Sequence, residues 1–201
     1  MSWEEAGAVP EVWTAAHGAL FPQCGLALGE RACISAAAGG VGTAAVQLAV
    51  AAGARVMATV RNPDLRAGVA ELGVGGGPRG DDRPRPLRRD PGADRGSEPG
   101  RRRGCPGRRR IAVIGMGGGS KAELDLAGLL SRRGRILGST LRSRPLEDKA
   151  RAARAMEAHV LPLFDGRCRP LVAATFPLAR AEEAYERFAA GAKFGKIVLT
   201  T

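Results

Sequence analysis

Between a short apolar run and a helical pattern the chain reads Ile34-Ser35-Ala36-Ala37-Ala38-Gly39-Gly40-Val41-Gly42-Thr43. Small residues at Ala36, Gly39 and Gly42 make an A-x-x-G-x-x-G string, a variant of the glycine fingerprint. Such a turn lets backbone approach a pyrophosphate and lets the following helix pack close to its strand. A helix opening at Gly42 aims its free N–H groups and positive dipole end at that phosphate. Further along, Val60-Arg61-Asn62-Pro63 puts a guanidinium where an NAD site usually places a carboxylate for the ribose 2′-OH. That choice favours NADP, with Arg61 on the 2′-phosphate. The plainer alternatives are a glycine-rich turn of another α/β domain and one more solvated arginine.

The elements that must hold these residues follow from periodicity. Residues 31–35 form a strand, Ala44, Val46, Leu48 and Ala49 mark a buried helix, and residues 54–60 form a second strand. Strands at 111–114 and 135–139 flank a helix at 122–130. Pro145 opens a long helical stretch that runs until Pro162. A strand at 171–176, a helix at 179–190 and a strand at 195–200 close the chain. The fold class expected is α/β, a Rossmann-type doubly wound parallel sheet.

Composition sets the outer bounds. The chain has 201 residues, enough for one domain with an appendage, and 44% hydrophobic content is enough for a core. No apolar run is long enough for a membrane span, and Met1-Ser2-Trp3-Glu4-Glu5 is acidic rather than a basic signal. Cys24, Cys33, Cys105 and Cys168 show no C-x-x-C spacing, and His17 and His159 lie far from any cysteine pair. No metal site is expected, both histidines are taken as ordinary helix residues, and a reducing, cytoplasmic location follows. Catalytic residues stay unassigned: Tyr185, the sole tyrosine, sits in a late helix as packing.

Four blocks carry a family resemblance. They are Trp3-Glu4-Glu5-Ala6-Gly7-Ala8-Val9-Pro10 running into Thr14-Ala15-Ala16-His17-Gly18-Ala19-Leu20, the turn Ala37-Ala38-Gly39-Gly40-Val41-Gly42, then Gly134-Arg135-Ile136-Leu137-Gly138-Ser139-Thr140-Leu141, and finally Phe194-Gly195-Lys196-Ile197-Val198-Leu199. In order and spacing the chain resembles the zinc-free quinone oxidoreductase branch of the alcohol dehydrogenase-like, medium-chain dehydrogenase/reductase superfamily. Ala36 stands where many members carry Gly. The resemblance implies an NADPH enzyme passing hydride to a quinone or an α,β-unsaturated carbonyl without a catalytic metal. Its cofactor contacts would fall on Ala38, Gly39, Gly40, Val41, Gly42 and Arg61, on Ile114, Gly115 and Met116, and on Ser139, Thr140 and Leu141. Expected partners are that small molecule and at most a second copy in a homodimer, with no membrane.

Against that family two departures stand out. Members carry an N-terminal β-rich domain that supplies much of the substrate pocket, and this chain begins at the helix after it. Residues 1–28 would then be connecting helices, 29–160 the dinucleotide-binding domain, and 161–201 a strand-helix-strand piece returning toward the other domain. The second departure is 74–110, where periodicity gives way to Arg, Gly and Pro, with 12 Arg against 5 Asp plus Glu, a local +7 out of the formal +11. Read one base out of frame with permitted codons, residues 85–100 and 105–109 spell a strand, a loop and a helix end as the family has there, which points to a compensated reading-frame slip. An aberrant, disordered segment is expected at this place, with impaired folding and little activity. The rival reading is a basic arm for nucleic acid through Arg101-Arg102-Arg103 and Arg108-Arg109-Arg110. No aromatic residue lies within 74–110 for bases to stack on, so no specific nucleic acid is expected. A non-catalytic nucleotide-binding fragment is the remaining alternative.

Overall fold

The computed structural model describes residues 1–75, 88–89, 109–117 and 119–201. The chain opens with helices α1 (Trp3–Gly7) and α2 (Pro10–Gly18), followed by a π-helical turn over Ala19–Gln23. A strand-helix-strand unit comes next: β1 (Arg31–Ile34), α3 (Gly40–Ala51) and β2 (Arg55–Val60), then α4 (Arg66–Glu71) and the two-residue β3 (Arg88–Arg89). Beyond it lie β4 (Arg110–Val113), α5 (Leu126–Ser131), β5 (Arg135–Gly138), α6 (Leu146–His159), β6 (Val172–Pro177), α7 (Ala181–Ala189) and β7 (Lys196–Thr200).

Local chemistry explains most of these boundaries. Ser2 and Glu5 make a reciprocal cap at α1, with the Glu5 amide donating to Ser2 Oγ at 3.2 Å and the Ser2 amide to Glu5 Oε2 at 2.7 Å. Pro10 opens α2 at a position whose missing N–H costs nothing. Pro22 inside the next turn cannot donate, and the helix widens there, the Cys24 amide reaching back to Ala19 O at 3.1 Å. The helix expected at 122–130 starts later, at Leu126, because the Asp125 carboxylate accepts the Gly128 amide at 2.8 Å and caps it.

Every strand pairing is parallel. β1 pairs with β2 in register Arg31↔Arg55 to Ile34↔Ala58, and β2 takes β3 on its other side through Thr59↔Arg88 and Val60↔Arg89. β4 pairs with β5, and β6 with β7 across a bulge between Val172 and Ala174. The parallel α/β architecture is the one the periodicity predicts. It is divided, however: among the described residues three sheets stand separately, and no ladder joins β1 to β4. Most of the frame slip and of the basic arm falls on residues 76–87 and 90–108, which lie outside the described residues, whereas Arg110 opens β4 and pairs with Glu30.

The core sits around α3. One face of this helix packs with Ala32, Val56, Ala58, Val60 and Val69 on the β1–β2 side, and the other packs with Val9, with Val12, Trp13 and Ala16 of α2, and with Val160. Being buried on both sides, α3 is apolar nearly all round, and Ala44, Ala45 and Ala49 let the layers approach closely. From residue 109 to residue 159, by contrast, no described side chain is fully buried. Ile111, Val113 and Ile136 remain roughly two-fifths exposed on the β4–β5 pair, at 39%, 44% and 41%.

Candidate dinucleotide site

The turn between β1 and α3 has the shape that its glycines predict. Gly39 caps α3 with extended backbone and no side-chain hydrogen bond, so no side-chain cap occupies the helix's first amides. A Cβ on Gly42 would meet Ala36 O at 2.3 Å and Ala37 Cα at 2.7 Å, which leaves room for hydrogen alone. Ala36 itself has φ +51°, the left-handed region that favours glycine, and its carbonyl accepts the Gly39 amide at 3.0 Å. The Ala37 amide donates to Thr59 O at 3.1 Å, tying the turn to β2. A tight, amide-lined bend with an uncapped helix end fits a pyrophosphate.

Arg61 follows β2 directly and is exposed. Among the described residues no carboxylate pairs with it. The turn has a second wall that sequence reasoning missed. Gly39 bridges to Gly195, the Gly195 amide donating to Ala38 O at 3.0 Å, and Lys196 Cδ lies 2.7 Å from where a Cβ on Gly40 would stand. The residues just before β7 therefore lie against the mouth of the turn. The Phe194-Gly195-Lys196 block was legible as a family feature, but nothing local said which residues it touches.

The later candidates form a second group. The Val113↔Gly138 register and a Ser139 amide bond to Val113 O at 2.9 Å bring Ile114, Gly115 and Met116 beside Ser139, Thr140 and Leu141 at the carboxyl ends of β4 and β5. Ile114 and Met116 are exposed. Ser139 Oγ accepts from Gln23 Nε2 at 2.9 Å, and Thr140 Oγ1 accepts from Ser143 Oγ at 3.3 Å, so both hydroxyls already serve the chain itself. Among the described residues no hydrogen bond links either segment to the turn at residues 36–42. The doubly wound sheet read from the sequence would put both groups along one sheet. The two groups instead stand on separate sheets, linked through Gln23 and through Arg110, whose guanidinium meets Glu30 at 2.5 Å just before β1.

Burial pushes the Cys168 thiol up to about 11, and burial also raises Cys24 against the opposing pull of Arg110. His17 and His159 lie in helices as expected, but their rings stack with centroids 5.8 Å apart, which two distant helical patterns could not show. Among the described residues no group of three or more His, Cys, Asp or Glu side chains could hold a metal ion.

Comparison with known proteins fits this geometry. Residues 102–199 match the family described as zinc-binding dehydrogenase. The spectinabilin polyketide synthase system protein NorB of Streptomyces orinoci is 34% identical over 233 residues, covering 99% of this chain and 9% of that protein. Two solved structures each cover the whole of this chain. An NAD-dependent alcohol dehydrogenase matches at 27% identity and TM-score 0.69 over 60% of its own length. The quinone oxidoreductase from Thermus thermophilus, solved also in complex with NADPH, matches at 26% identity and TM-score 0.74 over 67% of its length. The chain thus spans less than a tenth of the curated relatives it matches. In these matches the chain is similar to the medium-chain dehydrogenase/reductase superfamily.

Proposed function

We propose that this chain is the nucleotide-holding part of an NADPH-dependent oxidoreductase whose acceptor is a quinone or an α,β-unsaturated carbonyl. One observation carries the reading. The amino end of α3 is left without a side-chain cap at a turn too tight for any Cβ on Gly42, and Arg61, with no carboxylate partner among the described residues, follows the neighbouring β2. When bound, a reduced nicotinamide supplies the hydride. The chain's own part is positional. Backbone at Ala38, Gly39, Gly40, Val41 and Gly42 receives the pyrophosphate, Arg61 selects the 2′-phosphate, and Ile114–Met116 with Ser139–Leu141 would line the nicotinamide side. The cysteine spacing offers no zinc-ligand pattern, which agrees with metal-free transfer.

Titration of the purified chain with NADPH, followed by nicotinamide fluorescence or heat, tests this. Saturable binding that is stronger than for NADH is expected, and a folded protein that binds neither overturns the proposal. Oxidation of NADPH upon adding a simple quinone then separates a reductase from a nucleotide-binding piece without turnover.

A further inference from the structure

The loop ahead of β7 holds more positive charge than its own contacts use. Gly191, Ala192 and Gly195 all have left-handed backbone, at φ 70°, 49° and 102°, and an alanine there persists only when the surroundings fix it. The fixing contacts are visible on both sides. Arg187 spends its guanidinium on Gly191 O at 2.6 Å and Ala192 O at 3.3 Å. Gly195 is tied to Ala38, and the Phe194 ring packs on α4, 3.2 Å from where a Cβ on Gly68 would stand. The loop thus runs from the dinucleotide turn to α4, the helix that follows Arg61 after one short turn.

Lys193 sits between those two anchors. Its ammonium lies 3.7 Å from the centroid of the Phe188 ring, a contact that keeps a cation in place without neutralising it. Lys196, then Arg187, then Arg61 act on it electrostatically. Lys196 leans toward Glu11 at 3.9 Å, whereas Lys193 and Arg61 have no carboxylate partner among the described residues. Burial and then these neighbouring cations push the Lys193 amine below its ordinary range. An anion placed between two such cations turns their repulsion into attraction, and a phosphate monoester dianion has the charge to do so.

We propose that Lys193 is the second cation of the 2′-phosphate subsite, opposing Arg61, and that the loop from Gly191 to Gly195 is therefore a selectivity element for phosphorylated dinucleotides. The inference rests on the reading that the turn after β1 holds a dinucleotide. It adds a residue more than 130 positions beyond Arg61 in the chain to the choice between NADPH and NADH.

The full chain and its variants Lys193→Ala, Lys193→Arg and Arg61→Ala are titrated with NADPH, NADH, adenosine 2′,5′-bisphosphate and 5′-AMP. Lys193→Ala should weaken NADPH and the bisphosphate by about tenfold while NADH and 5′-AMP stay within about twofold, and Lys193→Arg should restore most of the loss. Arg61→Ala should show the same selectivity, and the double variant should lose less than the sum because both cations share one phosphate. An unchanged melting temperature certifies each variant, with Lys193→Gln standing in should alanine disturb the loop. Equal weakening of NADPH and NADH by Lys193→Ala, or no weakening of NADPH, overturns the inference and leaves the dinucleotide reading standing. A folded parent chain that binds neither dinucleotide overturns both.

Discussion

At the scale of single residues, the dinucleotide turn holds one strained position and one with no space. Ala36 takes φ +51°, a region that favours glycine, so Ala36→Gly should raise unfolding free energy by about 1 kcal/mol in urea denaturation. Gly42 is the converse. Gly42→Ala drives a Cβ into Ala36 O at 2.3 Å and should cost about 2 to 3 kcal/mol while abolishing nucleotide binding by fluorescence titration. His17 is only 8% exposed, and its pKa is held below the ordinary 6.5 by burial first and by His159 second. The unfolded chain therefore takes up this proton at higher pH than the folded one. Its contribution to stability is complete above 6.5 and declines as pH falls through and below that value. Denaturation midpoints at about pH 7.5 and about pH 5.5 should differ, and His17→Phe should shrink the difference.

At the scale of elements, α3 is the part on which both layers depend. Trp13 of α2 is 2% exposed and meets Phe164 edge-on with centroids 4.8 Å apart, joining α2 to the turn after α6. Trp13→Ala should cost about 3 to 5 kcal/mol, read by chemical denaturation, because a large cavity opens between two helices that cannot collapse independently. Gln47 is the buried polar counterpart. Its Nε2 donates to Thr43 O at 3.2 Å and Arg169 O at 3.0 Å, and its Oε1 accepts the Arg169 amide at 2.8 Å. This clamp ties α3 to the segment ahead of β6. Its removal strands part-buried backbone groups of Arg169, a cost of about 1 kcal/mol.

At the scale of the whole molecule, stability is uneven. Among the described residues, 1–75 contain most of the buried side chains, whereas β4, α5 and β5 contain none that are fully buried. Native-state hydrogen exchange should therefore protect amides of α3, β1 and β2 well above those of β4 and β5. Uniform protection across both halves would contradict the divided sheet. Charge is uneven too, since residues 74–110 hold a formal +7 of the chain's +11. Any association with nucleic acid should fall steeply with salt and show no sequence preference.

The alternation of apolar residues and the small-residue string at Ala36, Gly39 and Gly42 made β1, α3 and β2 legible from sequence, because strand and helix periods and the steric demand for glycine act over a few neighbouring residues. Arg61 was legible for the same reason, standing at the end of a readable strand. The sequence did not show that Gly195 and Lys196 meet the turn, that His17 stacks on His159, that Gln47 clamps Arg169, or that β1 and β4 share no ladder. Those juxtapositions join residues many positions apart, and packing of distant elements decides them, which no local pattern encodes.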